Sequence, residues 1–198
     1  MLGATLALGI GGAATAAPIT TNPGVLLAGG PLTVVFAFKE ADDDSQLLAV
    51  DVVGVIFDNQ TTPIGTVATV GNVGPFPAPI TFQLDNLTMQ YSFRTGIADS
   101  VQIDGQDVYY ARYSMNFEDF GVGALPAAAA AAIAGNATLS AGPLLYVAFE
   151  DRRSGDYDYN DLIFAFAPIG VTNVPEPASL ALLGAGLLGF AFARRRRA

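Results

Sequence analysis

Apolar and polar positions along this chain change places in short runs, mostly at a period of two. LTVVFAFK (32–39) is rich in β-branched and aromatic residues and reads as a strand, followed by the acidic loop EADDDSQ. LLAVDVVGVIFD (47–58) predicts one long strand, with Gly54 as a bulge. NQTTPIGT and GNVGPFPAP are broken by Gly and Pro into loops, with a weak strand between them. ITFQL and LTMQYSFR flank Asp85-Asn86 as a candidate tight hairpin. VQI and the alternating DVYYARYSMNF predict two further strands, and ATLS, PLLYVAFE and DLIFAFA close the series.

One segment has helical character. LPAAAAAAIA (125–134) combines the best helix former with Pro126 for the first turn and Gly135 for the end. Eight or so short strands, frequent turns and one short Ala-rich helix predict a mainly β fold, a β-sandwich. A jelly-roll order and an immunoglobulin-like order fit the pattern equally.

Composition narrows the chemistry. The 198 residues suit one sizeable core, and there is neither cysteine nor histidine. Ser-His-Asp triads, thiol nucleophiles and the commonest transition-metal ligand are thereby excluded.

The two ends carry their own signals. Residues 1–16 are small and apolar, and Ala14-Thr15-Ala16 has the small-x-small form of a signal-peptidase site. No Lys or Arg precedes Lys39, so the positive leader of a signal peptide is expected upstream of Met1. At the other end, PIGVTNVPEP (168–177) forms a linker containing Pro175, Glu176 and Pro177. An apolar run, Ala178 to Ala193, then leads to Arg194, Arg195, Arg196 and Arg197. Those 16 residues would span about 24 Å as a helix, short for a bilayer core of roughly 30 Å. The arginines predict a cytoplasmic end and an exported ectodomain, residues 17–167. This tail resembles the PEP-CTERM sorting signal of Gram-negative bacteria. The resemblance implies recognition by an exosortase, a transient inner-membrane intermediate with the tail as a transmembrane helix, removal of the tail, and delivery to the cell surface or extracellular matrix. It also implies a biofilm-forming, exopolysaccharide-producing setting.

Without the tail, residues 17–173 hold five basic and seventeen acidic residues, a net charge of −12. Such a surface repels nucleic acid and attracts cations.

The densest charge lies in FEDRRSGDYDYNDLIFAF (149–166). Asp156, Asp158 and Asn160 take positions 1, 3 and 5 of an EF-hand loop, but Asp161 and Ala167 stand where Gly and Glu are required. Two readings stay open. One is a non-EF calcium loop using Glu150, Asp151, Asp156, Asp158, Asn160 and Asp161. The other is an Asx-rich turn whose carboxylates Arg152 and Arg153 neutralise. Paired carboxylates also admit a glycoside hydrolase with Glu118 or Glu150 as the acid. The run from Phe149-Glu150-Asp151 to Gly155-Asp156-Tyr157-Asp158-Tyr159-Asn160-Asp161-Leu162-Ile163-Phe164 resembles the C-terminal signature of a domain-of-unknown-function family of bacterial surface proteins. That resemblance implies a β-sandwich without established catalysis. The functional expectation is a non-enzymatic structural or adhesive surface protein. A calcium-dependent carbohydrate-binding module that contacts extracellular polysaccharide is the alternative, and a hydrolase the third.

Overall fold

The computed structural model describes residues 23–50, 53–72, 78–95, 100–104 and 106–172. The expected signal peptide, the PEP motif, the arginine cluster and the transmembrane helix lie outside them. Among the described residues, no helix is long and apolar enough to cross a membrane.

The chain is mainly β, in two principal sheets. The larger has the order β10–β11–β12–β1–β4, with the two-residue β5 also on β1. Its strands are β1 (Val25–Lys39), β4 (Val67–Asn72), β5 (Ala78–Pro79), β10 (Ala111–Ser114), β11 (Leu145–Phe149) and β12 (Leu162–Thr172). The second sheet has the order β3–β2–β6–β7, from β2 (Ser45–Ala49), β3 (Val53–Asp58), β6 (Phe82–Asn86) and β7 (Tyr91–Arg94). A small hairpin joins β8 (Ser100–Ile103) to β9 (Gln106–Tyr109).

Inward residues of the two sheets form one buried cluster: Phe36, Val147, Phe164 and Phe166 from the first, Leu47, Phe57, Phe82 and Leu84 from the second. Rings meet across it, Phe82 and Phe166 at 4.3 Å between centroids and Phe57 and Phe164 at 5.9 Å. This is the face-to-face contact expected of a sandwich. The larger sheet is also covered on its outer face. There Val35, Ala37, Tyr146, Ala148, Ile163 and Ala165 pack with Phe117, Phe120, Ala129 and Leu139 of the helical segment. Burial on both faces explains why LYVAF and LIFAFA are continuously apolar instead of alternating.

Several boundaries differ from the sequence-based expectation, each for a local reason. β1 starts at Val25 and runs through Gly29-Gly30-Pro31, where its register against β12 shifts and Gly30 takes φ +65°. The expected strand 47–58 is a hairpin of β2 and β3, with Leu47 opposite Phe57. Gly54 falls at a register shift, because Leu48 faces Val55 while Ala49 faces Val53. Asp85-Asn86 lie within β6, and the turn is Leu87 to Gln90. Asn86 is buried and its side chain is committed to the protein interior, which a turn tip would not allow. The expected strand 107–117 is divided at the buried Tyr110 between β9 and β10, and ends in a 3-10 turn at Phe117–Phe120. The Ala-rich helix α1 spans Ala127–Gly135. ATLS forms a second, one-turn helix, α2 (Ala137–Ser140), because Asn136 caps it by accepting from the Thr138 and Leu139 N–H groups.

The pairing of the first strand with the last fixes where everything else sits. β1 and β12 run antiparallel from Val25 opposite Thr172 to Lys39 opposite Leu162. The chain therefore enters and leaves the sheet at one pole. The β11–β12 loop, residues 150–161, lies at the other, roughly 33 Å away along β12.

Candidate metal centre

The loop begins where the apolar β11 runs out. Glu150 follows Phe149 directly, and its N–H donates to the Tyr110 carbonyl at 3.0 Å. The Asp151 N–H donates to Asp161 Oδ2 at 2.8 Å and closes the loop base. The Asp161 carbonyl accepts from the Glu40 and Ala41 N–H groups at 2.8 and 3.1 Å, tying the end of β1 to the same base.

Within the loop, acid and aromatic positions separate by environment. Tyr159 is 2% exposed, packs in the outer core, and donates its hydroxyl to the Tyr109 carbonyl at 2.8 Å. Tyr157 is half-buried and donates to the Arg153 carbonyl at 3.0 Å. Both take left-handed backbone conformations, φ +57°, which cost a non-glycine residue on the order of 1–3 kcal/mol each. Burial of the rings offsets that strain, and the two turns leave Asp156 exposed and Asp158 half-buried on the side facing Glu150.

Carboxylate oxygens of Glu150, Asp156 and Asp158 all lie within 4.8 Å of one another. Glu150 is 1% exposed, and its Oε2 has no hydrogen-bond partner. The Gly155 backbone presses against this carboxylate, since a Cβ on Gly155 would sit 1.6 Å from Glu150 Oε1. The group opens onto a cavity of about 410 Å³ bordered by Glu40, Asp42, Ser154 and Asp161 as well. Burial first, and then the charges of Asp161, Asp156, Asp158 and Asp151, push the Glu150 carboxyl up to about 8. Burial also raises Asp161, partly opposed by the Asp151 N–H, and raises Asp158, with the charge of Asp156 adding to it.

The other expected ligands are placed differently. Asn160 donates its amide to Asp158 Oδ2 at 2.7 Å and so braces that carboxylate. Asp151 borders the cavity, but its Oδ2 accepts from the Ser45 hydroxyl at 3.4 Å and its Oδ1 lies 4.0 Å from Arg152 Nε. Neither loop arginine is paired with Glu150. Arg152 grips Asp43 in bidentate fashion, at 2.7 and 2.8 Å, and Arg153 stacks on Tyr91, 4.6 Å from the ring centre. Glu118, the other expected acid, is exposed on the 3-10 turn and is not among the cavity-lining residues.

Sequence reasoning missed Asp43, one of three consecutive aspartates and the buried one of them, and Asn86, which donates to its Oδ2 at 2.9 Å. It also missed the role of Gly155, although the glycine stands at the head of the acidic run.

A hard, oxygen-only donor set around a buried carboxyl that no donor of the chain answers suits a dication such as calcium.

Comparison with known proteins assigns the tail. Residues 173–197 match the PEP-CTERM protein-sorting motif. The match takes in Pro175, Glu176, Pro177 and the four arginines, and implies an exported, exosortase-sorted protein with a membrane-anchored intermediate. No curated protein and no solved structure matches the chain.

Proposed function

We propose that this protein is a non-enzymatic structural or adhesive component of the cell surface or extracellular matrix. Its β-sandwich ectodomain is delivered by exosortase and serves in a biofilm setting. The observation that carries the reading is the geometry of the two poles. The sorting motif follows β12 at one end of the sheet, and the acidic cavity opens at the other.

A second reading, a calcium-dependent carbohydrate-binding module, is favoured by the size of the cavity. Its 410 Å³ far exceeds the roughly 10–15 Å³ that one water-sized occupant needs. Calcium-dependent retention on polysaccharide resin, lost in EDTA, separates this module from a purely structural role.

The sorting reading is tested in the native host. Surface material should yield a chain that ends near Pro177, with the arginines removed, by intact-mass analysis. Cells lacking the protein should shed more matrix. Recovery of the full-length chain from the cytoplasm overturns it.

A further inference from the structure

We propose that Glu150, Asp156 and Asp158 hold one calcium ion, which locks the β11–β12 loop onto the end of the sheet. The ion would occupy the inner wall of the acidic cavity, with Asp161 beside it and water completing its shell from the open side.

Three independent features of the loop converge on this site. Oxygens bound to one calcium at about 2.3–2.6 Å can be no more than about 5 Å apart. The three carboxylates meet that limit, since their oxygens lie within 4.8 Å of one another. The innermost oxygen, Glu150 Oε2, is buried without any partner, so the carboxylate form lacks any compensating donor from the chain and gains one when a cation arrives. Finally, Gly155 lies against the Glu150 carboxylate, where a Cβ would meet Oε1, so the loop closes over the group beside Asp156 and Asp158.

The loop has Asx-turn character, since the Asn160 N–H donates to Asp158 Oδ1 at 3.3 Å, but a turn neutralised by its own arginines would look different at Glu150. In that case Arg152 or Arg153 would answer Glu150, yet the first is committed to Asp43 and the second to the Tyr91 ring. The Asn160 side-chain amide also donates to the other Asp158 oxygen and orients it, as an outer-shell partner does for a ligating carboxylate.

Calcium suits the site better than magnesium. The donors are side-chain carboxylates on an irregular loop at an open cavity, which fits a large ion accepting six to eight oxygens in flexible geometry. Magnesium needs a near-ideal octahedron and sheds its waters reluctantly. Loading after export rests on the sorting reading, because calcium is abundant outside cells. Binding by the purified protein does not rest on it.

The test uses the full chain in mild detergent, melted by far-UV circular dichroism in EDTA, in calcium and in magnesium. With a dissociation constant of about 0.1–1 mM, as extracellular modules show, calcium at about 2 mM should raise the melting temperature by roughly 3–6 °C. Glu150→Gln should melt higher than wild type in EDTA at pH 7, since it removes a buried carboxyl that must take up a proton on folding, and should lose the calcium shift. Asp156→Asn changes an exposed residue and leaves folding intact. It should weaken calcium binding in titration calorimetry by at least the tenfold or so that even an outer-shell partner costs. Glu118→Gln should behave as wild type. Identical melting in EDTA and calcium, or a full calcium shift in Asp156→Asn, overturns the site. An equal shift in magnesium overturns its assignment to calcium. Failure of surface sorting in the host leaves all these outcomes readable and overturns only the delivery.

Discussion

Two buried carboxylates at the same pole of this protein have been treated in opposite ways. Asp43 is 6% exposed and is surrounded by donors: Nε and Nη2 of Arg152 and the Asn86 amide. Its carboxyl is held below the ordinary carboxylate value, chiefly by the hydrogen bonds from Arg152. Glu150 is 1% exposed, has an oxygen with no donor, and is pushed upward by burial and by four neighbouring acids. The fold thus neutralises one buried acid from within and gives the other no internal donor at Oε2. Burial alone does not separate the two groups; the presence or absence of an internal counter-charge does.

The largest expected effect comes from making the first region resemble the second. Arg152→Gln would leave Asp43 buried with only Asn86. Breaking a fully buried pair costs about 3–5 kcal/mol, and the half-exposed Arg152 side chain lowers this to roughly 2–3 kcal/mol. Urea denaturation of the variant should show that loss with an unchanged slope. A loss below about 0.5 kcal/mol would mean that Asp43 is hydrated, and the contrast between the regions would collapse.

A smaller effect follows from pH, with opposite signs at the two sites. In the metal-free protein, Glu150 binds its proton more tightly folded than unfolded. Its contribution is therefore fully present below its ordinary value of 4.5 and is lost as pH rises toward about 8. Asp43 binds its proton less tightly when folded. Its contribution is present above its ordinary value of 3.8 and is lost as pH falls below that. In EDTA the melting temperature should therefore peak near pH 4–5 and decline toward pH 8, and calcium should flatten the alkaline decline. A melting temperature in EDTA that climbs from pH 5 to pH 8 would remove Glu150 as the unbalanced group.

How much of this could be read in the sequence follows the range of the interactions. The acidic loop was legible as a charged turn because its pattern is local: alternating acids with apolar strands on both sides. The mainly β class was legible from the same short-range alternation. The assignment of the arginines was not, because Arg152 reaches Asp43 across 109 residues and nothing nearby marks that pairing. The hairpin at 47–58 was hidden for a related reason. Both of its strands are apolar, so the run reads as continuous, and only the pairing of Leu47 with Phe57 reveals the reversal. The double-sided burial of β11 and β12 depends on helices packed from elsewhere in the chain, and alternation cannot report it.

The smallest effect distinguishes two roles for Asn160. Spacing in the acidic run suggests a ligand, whereas the structure shows its amide donating to Asp158 at 2.7 Å. Asn160→Asp separates the two. A ligating side chain would gain charge on conversion to carboxylate, and calcium binding would tighten. A bracing side chain would lose its donor and place a second negative charge against Asp158, which burial already raises. Calcium binding should then weaken by about 10–100-fold, the range for outer-shell partners. Stability in EDTA should fall only by about 0.5–1.5 kcal/mol, the worth of one hydrogen bond. Titration calorimetry on the variant decides the point: tighter binding would return Asn160 to the calcium shell, and weaker binding keeps it behind Asp158.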